Sequence, residues 1–211
     1  MTKKYEAAQE HVMAEIRNLY KEYKYNEMVT KEANPIEHIE KRIKPIDSLV
    51  KKLYNKMQEG IITNADDVIN DIAGVRVVCS FKSDLIKIAD IIEHKLGFEV
   101  VAIKDYFNNP KENGYSGYHI IVAVPYHHAD GSIEKLKVEI QIRTIAMDMW
   151  AIVERNLRFK DLTPEERQEQ LSRLARIRKK IDDQMEIIIE ESKKLRENNN
   201  KKLVKTPTEK Q

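Results

Sequence analysis

Apolar and polar residues alternate without a break along Val138-Glu139-Ile140-Gln141-Ile142-Arg143. A β-branched run with period two reads as a half-buried strand, with Val138, Ile140 and Ile142 on a core face and Lys137, Glu139, Gln141 and Arg143 on the other. Polar side chains repeating every ~7 Å along such a face form either a solvated edge or a site. Near the N-terminus the period changes: Tyr5, Val12, Ile16, Leu19, Tyr20 and Tyr23 recur at helical spacings of three, four and seven. Asn34 as N-cap, Pro35 at the first helical position and Glu37 three residues after the cap predict a second helix. Pro45 lacks an amide donor, so this helix is expected to bend or restart near Lys44, continue towards Met57 and end at Gly60.

The centre alternates in type. Val75 to Phe81 reads as a strand, Ser83 to Leu96 as a helix and Phe98 to Lys104 as a strand. Tyr118 to Tyr126 and Ile133 to Arg143 follow as strands joined in a hairpin by the turn residues His128-Ala129-Asp130-Gly131. Helix returns beyond Thr144 through Trp150 and Leu157. Thr163-Pro164-Glu165-Glu166 then starts a long helix striped with Leu171, Leu174, Ile177, Ile181, Met185 and Ile188 and running to about Leu195. That stripe serves either the monomer core or an oligomer interface. Four strands in a mixed or largely antiparallel sheet, with long N- and C-terminal helices around it, predict the α+β class. The expected organisation is one domain over 1–196, with N-terminal helices in 1–60, a sheet core in 61–160 and a C-terminal helix in 163–196. Residues 197–211, which include Asn198-Asn199-Asn200-Lys201-Lys202, carry too little apolar content to fold and are expected to be disordered.

A content of 41% hydrophobic residues in 211 supplies a core for that single domain. The 37 basic and 35 acidic side chains leave a net charge of +2, which argues against an obligate polyanion wrap. Phosphate chemistry therefore has to rest on local basic stripes. Cys79, the one cysteine, forms no internal disulfide and is expected as a small apolar side chain. Nothing resembles a signal peptide or the ~20 apolar residues that cross a bilayer, so a soluble cytoplasmic protein without membrane attachment is expected.

Three clusters are candidates for chemistry. Lys44, Ser48 and Lys51 or Lys52 share one stripe of the expected second helix, with Arg42 half a turn earlier, and form either a polyphosphate cradle or a solvated face. Asp71 opens the first strand in Asp71-Ile72-Ala73-Gly74-Val75-Arg76, as a turn acid or as the ligand of a metal-held phosphate. If Asp71 and Glu139 converge from neighbouring strands, they provide the hard oxygen ligands that Mg²⁺ prefers when a nucleotide completes its shell. Glycoside hydrolysis by two acids would want apolar sugar platforms and fewer cations. In the loop Lys111 to His119, Tyr115 is placed to stack on a base, and His119 is either a structural group or an acid–base residue.

Four segments then line up in order: R-I-K-P-I-D-S-L-V-K-K at Arg42 to Lys52, D-I-A-G-V-R-V-V-C at Asp71 to Cys79, K-D-Y-F-N-N-P-K-E-N-G-Y at Lys104 to Tyr115, and V-E-I-Q-I-R-T-I-A-M-D-M-W at Val138 to Trp150. Together they resemble the synthetase domain of the RelA/SpoT superfamily, in particular its stand-alone small alarmone synthetases, over nearly the whole chain. The resemblance implies a nucleotidyltransferase-like fold and Mg²⁺-dependent transfer of the β,γ-pyrophosphate of ATP to the 3′-hydroxyl of GTP, GDP or GMP. It assigns adenine to Arg42 and Arg76, the ATP phosphates to Lys44, Ser48 and Lys52, and Mg²⁺ to Asp71 and Glu139. Glu139 would also help to deprotonate the ribose hydroxyl. Tyr115 would stack on guanine, with Lys111, His119, Gln141 and Arg143 lining the acceptor and transfer path.

The chain departs from the family pattern on the acceptor side. The loop reads G-Y-S-G-Y-H where G-Y-R-S and a later histidine are usual, which leaves Ser116 in place of a cation. Arg155 stands where a histidine is usual, and Phe159-Lys160 replaces Y-K. Donor binding is therefore the firmer expectation and acceptor identity stays open. Pro35 to Arg42, with His38 and Glu40, is closer to the RelP than the RelQ kind, which implies a homotetramer without strong product activation. No hydrolase motif is visible, which implies synthesis only. Two alternatives remain. One is a toxic relative that pyrophosphorylates the 3′ end of tRNA, its RNA held by Arg178-Lys179-Lys180 or Lys201-Lys202. The other is a catalytically weak nucleotide or RNA sensor, motivated by Ser116 and Arg155.

Overall fold

The computed structural model describes residues 2–30, 33–44, 46–58 and 71–204. Strands β1 (Ile36–Ile43), β2 (Ala73–Cys79), β3 (Glu99–Asp105), β4 (Tyr118–His127) and β5 (Ile133–Thr144) form one sheet in the order β1-β2-β5-β4-β3. The central pair β2–β5 is parallel and the other three pairs are antiparallel, so the sheet is mixed. Helices α1 (Thr2–Thr30), α2 (Ile46–Gln58), α3 (Lys82–His94), α4 (Ile145–Leu157) and α5 (Pro164–Val204) complete the α+β arrangement.

The alternation in β5 explains its central place. Val138, Ile140 and Ile142 are fully buried beside Val75, Val77 and Cys79 of β2. Ala8, Val12, Met13 and Ile16 of α1, with Leu85, Ile88 and Ile92 of α3, close the same core. Burial raises the pKa of the Cys79 thiol, which keeps it protonated and inert. Gln9 of α1 is buried and donates its amide to the carbonyls of Arg42 (2.9 Å) and Gly74 (2.7 Å), tying α1 to the ends of β1 and β2. The expected hairpin is present: Gly131 adopts φ 84°, its N–H donates to His128 O, and His128 N–H donates to Ser132 O.

The second helix starts later than its sequence signal. Asn34 does not cap a helix; its Oδ1 accepts from Ile36 N–H at 2.9 Å and its amide donates to Tyr20 O at 3.3 Å. This is a turn that launches β1, because a side chain that can cap a helix can equally close a local turn. Pairing with β2 along Ile36–Ile43 then overrides the local helical signal. The sheet thus has five strands instead of four and begins before residue 61, and the 1–60 block is not wholly helical. Arg42 lies on β1, Lys44 in the connection that follows, where its N–H donates to Ile72 O, and Ser48 and Lys52 on α2. They do not share one helical stripe. Gly60 and the end assigned to it lie outside the described residues.

The last helix is longer than expected. It runs to Val204, so 197–204 are helical instead of disordered; no glycine or proline interrupts the chain between Pro164 and Pro207. Residues 205–211 lie outside the described residues. Of the apolar stripe, Leu171 is buried, whereas Ile177, Ile181 and Ile188 are exposed. Among the described residues no helix is long and apolar enough to cross a membrane.

Candidate active site

Strand register places one polar row across the whole sheet. Glu40 of β1 pairs with Arg76 of β2, Arg76 with Gln141 of β5, Gln141 with His119 of β4, and His119 with Lys104 of β3. One step along, Arg42, Gly74 and Glu139 are register partners on β1, β2 and β5. The polar face of β5 is therefore no solvated edge: Glu139 and Arg143 are each only 5% exposed.

A buried carboxylate survives ionised only with donors around it. Glu139 Oε1 receives His119 Nδ1 at 3.2 Å and Lys104 Nζ at 3.3 Å, while its Oε2 accepts from Gln141 Nε2 at 2.7 Å. Burial alone would raise its pKa, but the contacts with His119, Gln141 and Lys104 outweigh burial and bring it down to about 2. Burial lowers the pKa of His119, and Glu139 offsets part of that. In neutral His119 the Nδ1–H donates to Glu139 and Nε2 accepts from the Tyr115 hydroxyl at 2.6 Å. Arg143 Nη2 donates to the same hydroxyl at 2.9 Å, and Arg143 Nη1 to Asp148 Oδ1 at 3.0 Å. A single chain of hydrogen bonds thus runs from Asp148 through Arg143, Tyr115 and His119 to Glu139.

Asp71 stands at the mouth of β2 and pairs with Lys44 Nζ at 2.6 Å. Two connected cavities meet here. A smaller one of about 220 Å³ is lined by Lys41, Arg42, Lys44 and Gly74 among others, and a larger one of about 760 Å³ by Tyr106, Lys111, Tyr115, His119 and Arg143 among others. Arg42, Asp71, Arg76, Glu139, Gln141 and Arg155 belong to both walls and form the throat between the lobes. Asp71, just before β2, and Glu139 of the adjacent β5 bring hard oxygen donors to that throat. This donor set fits Mg²⁺, which takes one or two carboxylates and completes its shell with phosphate and water.

Of the residues singled out from sequence, Arg42, Lys44, Asp71, Arg76, Glu139 and Gln141 line the smaller lobe, and Lys111, Tyr115, His119 and Arg143 the larger. Ser48 and Lys52 lie on α2, and their side chains are outside the described set. Tyr115 is less open than a simple stacking platform. Its hydroxyl is engaged, and its ring meets Tyr106, His119 and Trp150 edge-on at 5.9, 5.7 and 6.0 Å. Lys111 Nζ sits 4.5 Å from the Tyr106 ring centre and 5.4 Å from that of Tyr115.

The turn that presents Tyr115 requires Gly114. This residue has φ 89°, and a Cβ there would stand 2.4 Å from Ala175 Cβ on α5. Ser116 is buried, its Oγ has no hydrogen-bond partner among the described residues, and it does not line either lobe, so the position offers no cation to the cavity. Arg178 is likewise buried and bonded to Asp182 at 3.0 Å, which removes it from the basic surface patch suggested for RNA.

Sequence reasoning passed over Lys104, Tyr106 and Asp148. Lys104 becomes legible once β3 is registered on β4, since it then falls opposite His119. Tyr106 lies just past the end of β3, where no periodic signal operates. Asp148 sits in the first turn of α4 and holds both Arg143 and, at 3.4 Å, Arg76.

The family model described as "Region found in RelA / SpoT proteins" matches residues 41–163. The chain is 38% identical over 154 residues to GTP pyrophosphokinase YwaC of Bacillus subtilis, covering 72% of this chain and 73% of that protein. It is 32% identical over 183 residues to GTP pyrophosphokinase YjbM of the same organism, covering 86% and 83%. The structure of small alarmone synthetase 1 from Bacillus subtilis bound to its product pppGpp matches with a TM-score of 0.78 at 30% identity, covering 90% of this chain and 94% of that one. Small alarmone synthetase 2 from the same organism matches with a TM-score of 0.72 at 34% identity, covering 89% and 95%.

Proposed function

The chain belongs to the RelA/SpoT family, and from that premise we propose that it is a small alarmone synthetase, a GTP pyrophosphokinase that moves the β,γ-pyrophosphate of ATP to the 3′-hydroxyl of GTP, GDP or GMP. One observation carries this reading: an acid at the mouth of β2, an acid on the adjacent β5 and a set of cations share the throat of a two-lobed cleft. Transfer in line between phosphates needs positioning and charge neutralisation above all. Arg42, Lys44 and Arg76 give the smaller lobe the character of a donor site, and the family resemblance adds Ser48 and Lys52 as further phosphate ligands. Lys111, Tyr106 and Tyr115 offer the larger lobe a cation and aromatic rings for the acceptor nucleotide.

Asp71 and Glu139 would hold Mg²⁺, which when bound supplies charge neutralisation on the donor phosphates. Glu139, ionised far below neutral pH, serves the acceptor by taking a hydrogen bond from the 3′-hydroxyl and orienting it. So low a pKa makes it a weak base, and a loose transition state asks for little proton transfer before bond formation. Tyr115 and Arg143 fix His119, and His119 fixes Glu139. Synthesis without hydrolysis is part of the proposal, as is a homotetramer without strong product activation. Exposed Ile177, Ile181, Ile188 and Leu195 on α5 supply apolar surface for assembly. Light scattering measures the assembly, and initial rates with added pppGpp measure the regulation.

The test is incubation with Mg²⁺ and ATP labelled on the γ-phosphate, offering GMP, GDP, GTP and deacylated tRNA separately. Label should move to guanine nucleotides. Label on tRNA alone, or on nothing, would overturn the reading.

A further inference from the structure

Arg155 lies on α4 and lines both lobes of the cleft. Apart from Arg42, which is exposed on β1, the other charged residues of the throat are neutralised within the protein. Asp71 is paired with Lys44, Arg76 with Glu40 and Asp148, and Glu139 with Lys104 and His119. Glu154, the acid next to Arg155 in the chain, accepts two hydrogen bonds from Arg158 at 2.7 and 2.9 Å. Among the described residues Arg155 has no ion pair and no side-chain hydrogen bond. Its charge acts instead against Arg76, whose pKa is lowered by burial first and by Arg143 and Arg155 as well.

Like charges held together at a cavity wall attract an anion that joins them, and the attraction is strongest where the walls exclude water. A guanidinium suits that task because its fork of donors matches phosphate oxygens. On the transferase reading, the anion that crosses this throat is the pyrophosphoryl group itself. We propose that Arg155 is a catalytic residue of the transfer step and grips the pyrophosphoryl group as it passes from the donor lobe to the acceptor lobe.

In that step the acceptor 3′-oxygen forms a bond to the β-phosphorus. The bond from the β-phosphorus to the oxygen bridging it to the α-phosphorus breaks, and AMP leaves with that oxygen and the electron pair. The hydroxyl proton passes to solvent. Charge on the moving group is shared by both lobes only at the crossing, so a residue common to both walls contributes there more than in either ground state. Such a contribution raises kcat and leaves KM nearly unchanged.

The test compares the wild type with Arg155→Gln and Arg155→Lys in initial-rate assays with ATP and GDP, alongside melting curves and calorimetric binding of a non-hydrolysable ATP analogue. Arg155→Gln should lose about 10²-fold in kcat, the scale seen when a charge-stabilising donor is removed, with either KM changed less than threefold. Arg155→Lys should recover part of the loss. An unchanged kcat in Arg155→Gln, or a loss confined to the KM of ATP or of the acceptor, would overturn the assignment. A wild type that binds the analogue and transfers nothing would overturn the transferase reading instead.

Discussion

Glu139 shows how much one side chain depends on its surroundings. It is buried yet ionised because Lys104, His119 and Gln141 all point at it. Replacing it with Gln, or Asp71 with Asn, should lower transfer by about 10²-fold or more, because each change removes charge from the proposed Mg²⁺ ligands. Asp71→Asn should move the melting temperature by less than about 4 °C, which corresponds to roughly 1 kcal/mol in a chain of this size. Normal turnover in either variant would refute the metal pair. Tyr115 separates ring from hydroxyl. Tyr115→Ala should weaken guanine-nucleotide binding by about 1–3 kcal/mol, the range for base stacking on an aromatic ring. Tyr115→Phe should keep that affinity and lower kcat, because the link from Arg143 to His119 is cut; equal KM values in all three proteins would show that the ring does not stack. Tyr118, on the opposite side of β4, carries a pH signature. Burial, then its hydrogen bond to Glu93, raises its phenol from 10 to about 12. A group whose folded pKa is raised contributes stability that is fully present below pH 10 and is lost as pH climbs through 12. Tyr118→Phe should therefore show a flatter stability curve than wild type between pH 10 and 12 in denaturant titrations.

Strand β1 and helix α5 mark where the chain could and could not be read. The two-residue period of β5, the hairpin turn and the helix after Ser83 were legible because local pattern and tertiary placement agree there. Asn34-Pro35 was misread because cap and turn use the same side-chain chemistry, and only the ladder with β2 decides between them. The acids and cations of the cleft were legible as residue types, and Asp71 and Glu139 do reach one throat. The engagement of the Tyr115 hydroxyl was not legible, because it arises from a register between β4 and β5 that no short-range signal encodes. Helix α5 contributes to the site from behind. Asp182 accepts from Thr144 Oγ1 at 2.6 Å, Thr144 caps α4 by accepting from Met147 N–H at 3.1 Å, and Arg178 bonds to Asp182 in turn. Asp182→Ala would leave Arg178 buried without a partner and should cost about 3–5 kcal/mol in unfolding experiments. Removing the charge of Arg178 as well, by Arg178→Met, should recover most of that loss. A double variant as unstable as the single one would show that the Thr144 bond, and not the charge, dominates.

A net charge of +2 hides an uneven distribution, since Arg42, Lys44, Arg76, Lys104, Lys111, Arg143 and Arg155 all face one cleft. Attraction for nucleotides should be screened by salt while a core of buried aliphatic side chains is not. Raising ionic strength from about 0.05 to 0.5 M should therefore increase the KM for both nucleotides severalfold and leave the melting temperature nearly fixed; salt-independent KM values would place the binding energy in stacking instead. Asp71 and Glu139 meet only across the β2–β5 junction, the one parallel pairing in the sheet. Parallel neighbours cannot zip from a tight turn; α3, β3 and β4 must be traversed before β5 can slot in beside β2. On the ribosome, the two acids remain strangers until Thr144 has left the exit tunnel. A chain that ends before Glu139 therefore lacks the second acid and the strand that carries it, and should transfer nothing.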